Sequence, residues 1–126
     1  MQIHISPPTP WIERAALPND PGVYLISKAG VLIYIGKTWG SEGLRGRIGD
    51  FHRSATTGLK GHAGGVTFFG KYGAIEPGEM SVAVHVPVIV RRDATILNPY
   101  IQYVERRLIW EHVEVAGALP ACNSEG

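Results

Sequence analysis

Two runs near the start of the chain set the pattern of apolar and polar positions. Gly22 to Lys28 and Val31 to Lys37 are rich in β-branched and aromatic residues, and the residues between them include Gly30, which is free to take left-handed backbone, so the pattern predicts a β-hairpin. Its register decides where the side chains go. A three-residue loop over 28–30 sets Ser27 against Val31 and Tyr24 against Tyr34, so the two tyrosines share one face. A two-residue loop sends them to opposite faces, because a slip of one residue inverts every side chain. Ahead of the hairpin, Ser6 to Pro21 holds five of the nine prolines, with Thr9 and Pro10 placed as cap and first residue of a short helix or turn.

Further along, Leu44, Ile48, Phe51 and Ala55 recur at helical spacing, which predicts a helix over 41–56 despite Gly43, Gly46 and Gly49. Residues 58–73 carry too many glycines to assign. Ser81 to Val90 alternates strictly, with Val82, Val84, Val86, Val88 and Val90 on one side, and reads as a strand; Pro87 has no N–H for a ladder and so places it at a sheet edge. Asn98 and Pro99 then open a helix that ends at Ala116 before Gly117. The elements describe an α/β (α+β) domain: a small three-stranded antiparallel sheet flanked by helices.

The last helix carries an anomaly. With Ile101 at zero and about 100° per residue, Val104, Leu108 and Val115 fall on one stripe together with Ile109, and Glu105 falls inside it. A carboxylate aimed at an apolar face needs a partner or a cation. Salt bridges to Lys37, Arg45 or Arg47 are one answer and a metal is the other. Glu111 and Glu114 lie at the edge of the stripe or outside it, as solvated charges do.

Composition narrows the class. The chain has 126 residues, 44% apolar and 18% charged, enough to bury the core of one domain spanning 1–126 and too apolar for a disordered arm. No apolar run approaches the roughly 18 residues that span a bilayer, and MQIHISPPTP lacks the features of a secretory signal, so a soluble cytoplasmic protein with no membrane partner is expected. The single Cys122 excludes an internal disulfide and a Cys-rich zinc site, and reads as a small buried residue. Net charge is only +1, but Lys28 to Lys71 holds seven cations against Glu42 and Asp50, and the chain beyond Lys71 is net negative. A basic middle next to an acidic last third suits an anionic ligand held near a carboxylate.

Gly22-Val23-Tyr24 and Tyr34-Ile35-Gly36, with the tyrosines ten positions apart, resemble the paired motifs of the GIY-YIG endonuclease superfamily. Pro21 before them, Lys37-Thr38 after them, Leu44-Arg45-Gly46-Arg47-Ile48 in the next helix, Glu105, and Leu119-Pro120-Ala121-Cys122-Asn123 extend the resemblance over about residues 20–123. It implies a divalent-metal-dependent endonuclease that hydrolyses phosphodiester bonds in DNA, leaving 5′-phosphate and 3′-hydroxyl ends. Residue by residue, it implies Glu105 as the single acidic ligand of Mg²⁺ or Mn²⁺ and Arg47 as the fork that holds the scissile phosphate. Tyr24 is implied as the residue that orients or deprotonates water, with Tyr34 beside it, and Asn123 as the brace. Gly36 would leave room for a phosphate. The stretch between Gly36 and Leu44 is longer than in the family's repair nucleases, so Arg45 competes with Arg47. His52 follows Phe51, which stands where many members carry a histidine or tyrosine, and is the candidate for that role.

A tyrosine of ordinary pKa near 10 is ionised about one part in a thousand at pH 7, a handicap of roughly 4 kcal/mol for a general base, so something must lower it. Lys37 and Arg47 are the cations available. Target selection falls to the glycine-rich insert or to a homodimer. Lys37, Arg45, Arg53, Lys60, His62 and Lys71 are the candidate phosphate contacts, with Phe68, Phe69 and Tyr72 either stacking on bases or packing on the sheet. Two rival readings remain: a non-catalytic nucleic-acid-binding module that keeps the fold, and a purely structural partner subunit.

Overall fold

The computed structural model of the chain describes residues 2–39, 41–89 and 93–124. It is a mixed α+β domain built on a four-stranded antiparallel sheet of order β1-β4-β2-β3, with β1 at Thr9–Pro10, β2 at Gly22–Lys28, β3 at Val31–Thr38 and β4 at Met80–His85. Helices α1 (Gly43–Thr57), α2 (Ala63–Tyr72) and α3 (Ala94–Ala116) complete it. Among the described residues no helix is long and apolar enough to cross a membrane.

The three-stranded expectation is therefore one strand short. The proline-rich leader contributes β1 and then a 3-10 turn over Trp11–Ala16, with Pro10 as its cap. Ser6 extends this cover: its N–H donates to the Val84 carbonyl at 2.9 Å, and the Val84 N–H donates to Ser6 Oγ at 3.0 Å. The 81–90 strand is shorter than the alternation suggests and is not an edge. It stops at His85, before Pro87, and pairs with β2 on one side and β1 on the other. Val90 lies outside the described residues.

The hairpin departs from its expected register twice, and the departures cancel. Ala29 and Gly30 form a two-residue turn, both with left-handed φ (50° and 80°), and Lys28 pairs with Val31. Alone, this turn would put Tyr24 and Tyr34 on opposite faces. A bulge follows: Ser27 pairs with Leu32 but Ile26 pairs with Tyr34, leaving Ile33 without a partner. The extra residue restores parity. Tyr24 pairs with Gly36, and both tyrosines face α1 and α2.

Each face of the sheet carries its own core. Tyr24, Ile26, Val82 and Val84 pack with Leu44, Ile48 and Phe51 of α1 and Phe68 of α2, while Val23 and Ile35 pack with Leu97, Ile101, Val104 and Ile109 of α3. Helix α1 starts from Gly43, whose φ of 77° and closeness to Asn19 leave no room for a Cβ. Its first turn is capped from outside, Leu44 N–H on the Asp20 carbonyl and Gly46 N–H on Asn19 Oδ1. Helix α3 begins four residues earlier than expected, because Asp93 caps it at Thr95 N–H and Pro99 sits inside the helix. At its far end Gly117 closes it at φ 77° as anticipated. Val115, assigned to the buried stripe, is 91% exposed, since the last fully buried side chain of α3 is Ile109, six residues earlier.

Candidate active site

Beyond the edge of β3 the two faces of the sheet meet in a polar cleft of about 220 Å³. Tyr34 with Ala63 and Gly64 walls one side, Lys37 with Glu105, Arg106 and Ile109 the other, and Cys122 to Ser124 close the end. Neighbouring residues of one strand thus serve both walls, because Tyr34 points to the α1/α2 face and Lys37 to α3.

Glu105 is partly buried where the helical wheel places it, and Lys37 Nζ donates to its Oε1 at 3.1 Å. Among the described residues no group of three or more His, Cys, Asp or Glu side chains is gathered to hold a metal ion. A divalent cation would rest on Glu105 alone. That donor set suits Mg²⁺, which keeps several waters and binds through one or two carboxylates plus substrate phosphate; Mn²⁺ favours the same oxygen ligands.

Behind Tyr34 lies a buried ring cluster. His62, 1% exposed, stands among Tyr34 and Phe51, each 5.2 Å away between centroids, and Tyr24 at 6.1 Å. Its Nδ1 accepts the Gly65 N–H that opens α2, so the neutral ring carries its proton on Nε2. That Nε2 is 2.6 Å from the Tyr24 hydroxyl oxygen. Nε2–H therefore donates to Tyr24, which frees the Tyr24 proton for the Tyr34 oxygen. The direction runs from backbone to cleft: Gly65 N–H to His62, His62 to Tyr24, Tyr24 to Tyr34. Burial takes the His62 pKa to about 4, with the Arg47 charge adding to it, so the ring stays neutral and the order holds.

The same groups act on the tyrosines. Tyr24 is raised well above 10 by burial first, then by Tyr34. Tyr34 is raised by burial and by the Glu105 charge, while Arg47 and the Tyr24 hydrogen bond pull it down. Tyr24 is itself 1% exposed, so the hydroxyl that meets the cleft is that of Tyr34. Close packing requires glycine at two points. A Cβ on Gly36 would lie 2.6 Å from both tyrosine rings, and one on Gly64 would lie 2.5 Å from the Tyr34 ring. The room at Gly36 is taken by tyrosine, where the family resemblance leaves it for a phosphate.

Arg47 lies on the tyrosine side. Its guanidinium donates to the Gly61 carbonyl at 3.0 Å and pairs with Asp50 at 3.4 Å, and it lines a hollow next to Lys37. Arg45 points away and donates to the Leu17 carbonyl at 3.0 Å. His52 is not brought to the cleft; its Nδ1 accepts from the Trp11 indole at 3.0 Å, on the far side of α1. Asn123 clamps β3 from outside, with Oδ1 on the Ile35 N–H and Nδ2 on the Ile35 carbonyl, both at 2.9 Å. Those two groups would otherwise be an open sheet edge.

The proposed phosphate contacts scatter. Arg53 pairs with Asp50 and, with Lys60, borders a shallow hollow near the end of α1, while Lys71 lies exposed in the last turn of α2. His62 is interior, so it faces the tyrosines and not solvent. Of the aromatics, Phe68 packs on Phe51 at 5.9 Å and Tyr72 at 5.0 Å, and Phe69 covers Gly58. Burial pushes the Cys122 thiol up to about 11, which leaves it protonated and unreactive at neutral pH. The sequence signal for His62 was Gly64-Gly65 just beyond Ala63, a pair that lets a helix start press against neighbouring rings.

No family model, curated protein or solved structure matches the chain significantly.

Proposed function

We propose that the chain is a divalent-metal-dependent endonuclease that hydrolyses phosphodiester bonds in DNA, with Tyr34, Arg47 and Glu105 as its working residues. The observation that carries this reading is the convergence of Tyr34 and Glu105, from opposite faces of the sheet, on one polar cleft at the edge of β3. The order of tyrosines, arginine, glutamate and asparagine along the chain, which resembles the GIY-YIG pattern, supports it.

In this reading Tyr34, and not Tyr24, meets the attacking water and orients it through its hydroxyl, which burial and the Glu105 charge keep protonated rather than lowering it into the range of a general base. Tyr24 and His62 are positioning residues, which donate in sequence toward the Tyr34 oxygen and leave its own proton to face the cleft. Arg47 adds positive charge to the same oxygen and would hold the phosphate in its planar fork. A cation bound at Glu105 supplies charge to the phosphate oxygens and acidifies bound water. Lys37 is then left to pair with phosphate.

One observation favours the binding-module reading: Lys37 already neutralises Glu105, as a structural ion pair does. Incubating the purified protein with supercoiled plasmid separates the two. Nicked circles that form with Mg²⁺ and not with a chelator are the expected result. Binding of the plasmid without metal-dependent nicking overturns the hydrolytic reading.

A further inference from the structure

Three hollows join end to end along one side of the molecule. The cleft shares Lys37 with a hollow of about 310 Å³ bordered by Trp39 and Arg47. At its other end it shares Arg106 and Ile109 with a largely apolar hollow of about 580 Å³ bordered by Trp110, Val113 and Leu119. Each outer hollow carries an exposed tryptophan: Trp39 is 39% exposed and Trp110 is 60% exposed. Lys37 Nζ stands 5.6 Å from the Trp39 ring centre, and Arg106 precedes Trp110 by one helical turn, so each indole lies beside a cation.

Resting on the proposed function, we infer that this track holds an unpaired DNA strand, with bases stacked on Trp39 and on Trp110 and the backbone crossing the cleft between them. An exposed indole beside a cation, repeated on both sides of a polar cleft, is the stacking platform that suits single strands, because every base has a face to offer once it is unpaired. Duplex DNA keeps its base faces covered. Lys37, Arg47 and Arg106 face Glu42 and Glu105 along the track, so charge favours phosphate only slightly and stacking supplies the selectivity. The preferred substrate is therefore DNA with an unpaired segment, such as a flap, a bubble or a single strand.

The test is equilibrium binding of a fluorescein-labelled 15-nucleotide oligothymidylate and of a blunt 15-base-pair duplex to the full chain in EDTA, where no cleavage occurs. The expected result is single-strand affinity at least tenfold above duplex affinity. Trp110→Ala and Trp39→Ala each weaken single-strand binding by about tenfold and leave duplex binding within about twofold. Raising NaCl from 50 to 200 mM weakens single-strand binding by less than tenfold, where a backbone binder making 6–10 phosphate contacts loses about 10³–10⁵. Equal affinity for the two DNAs overturns the inference. So does a Trp110→Ala variant that binds single strands normally, including one that instead disperses a dimer of the chain. Single-strand preference without plasmid nicking leaves this inference standing and removes the hydrolytic reading; nicking without the preference does the reverse.

Discussion

Replacing His62 by Asn tests the buried hydrogen-bond order directly. The asparagine oxygen takes the place of Nδ1 and still caps α2 at Gly65, but its Nδ2 stands where the ring carbon was and falls short of Tyr24, which loses the Nε2–H donor. A buried phenol oxygen left without its partner costs about 1–3 kcal/mol at neutral pH. The pH dependence is the sharper signature. Burial, with Arg47, holds the folded His62 pKa at about 4 against 6.5 in its ordinary state. The unfolded chain thus binds the proton more readily, and stability falls as pH drops from about 6.5 to about 4, then levels off. At about 1.4 kcal/mol per pH unit, the wild type loses about 2–3 kcal/mol to this group alone by pH 4.5. Urea unfolding of both proteins at pH 7.5 and pH 4.5 reads it. His52, also lowered by burial and by Arg14, adds to the loss on acidification but is common to both proteins and cancels. His62→Asn is expected to be less stable at pH 7.5 and to lose about 2–3 kcal/mol less than the wild type on acidification. Parallel losses in the two proteins would show that His62 is not held neutral by the interior, and the donor order toward Tyr34 would fall with it.

Gly36→Ala places a methyl 2.6 Å from the Tyr24 and Tyr34 rings, so a thermal melt should show a loss of about 1–3 kcal/mol or more. Arg47→Ala should slow plasmid nicking about a hundredfold or more, the cost of removing a preorganised donor to developing charge. Arg45→Ala, whose bond goes to Leu17 instead, should change the nicking rate less than about threefold and cost only about 1 kcal/mol of stability.

Much of the framework was legible because it rests on periodicity. The hairpin strands, α1, and Glu105 inside the α3 stripe follow from spacings of two and 3.6 residues. The hairpin register was not legible, since a turn at Ala29-Gly30 carries little signal and the bulge at Ile33 has none. Two local irregularities together gave the tyrosine face that a regular three-residue loop also gives, so agreement on the face came by a different route. Residues 58–73 hid a helix because their glycines, costly for an isolated helix, are required here by contact with Tyr34, Phe51 and Ser54. His62 and His52 exchanged environments for a related reason. A wheel reports neighbours on its own helix, whereas His62 meets Tyr24 from a different element 38 residues away.

The central claim is that the cleft at β3 cleaves phosphodiesters through Glu105, and Glu105→Gln tests it most directly. The change removes the charge and keeps the shape. Lys37 and Glu105 form a partly exposed pair, worth about 0–1 kcal/mol, so the melting temperature should move little. Side-by-side nicking of supercoiled plasmid in Mg²⁺ should show the variant slowed at least a hundredfold while it still binds DNA as tightly as the wild type or more so. Cleavage by Glu105→Gln at the wild-type rate would contradict the account.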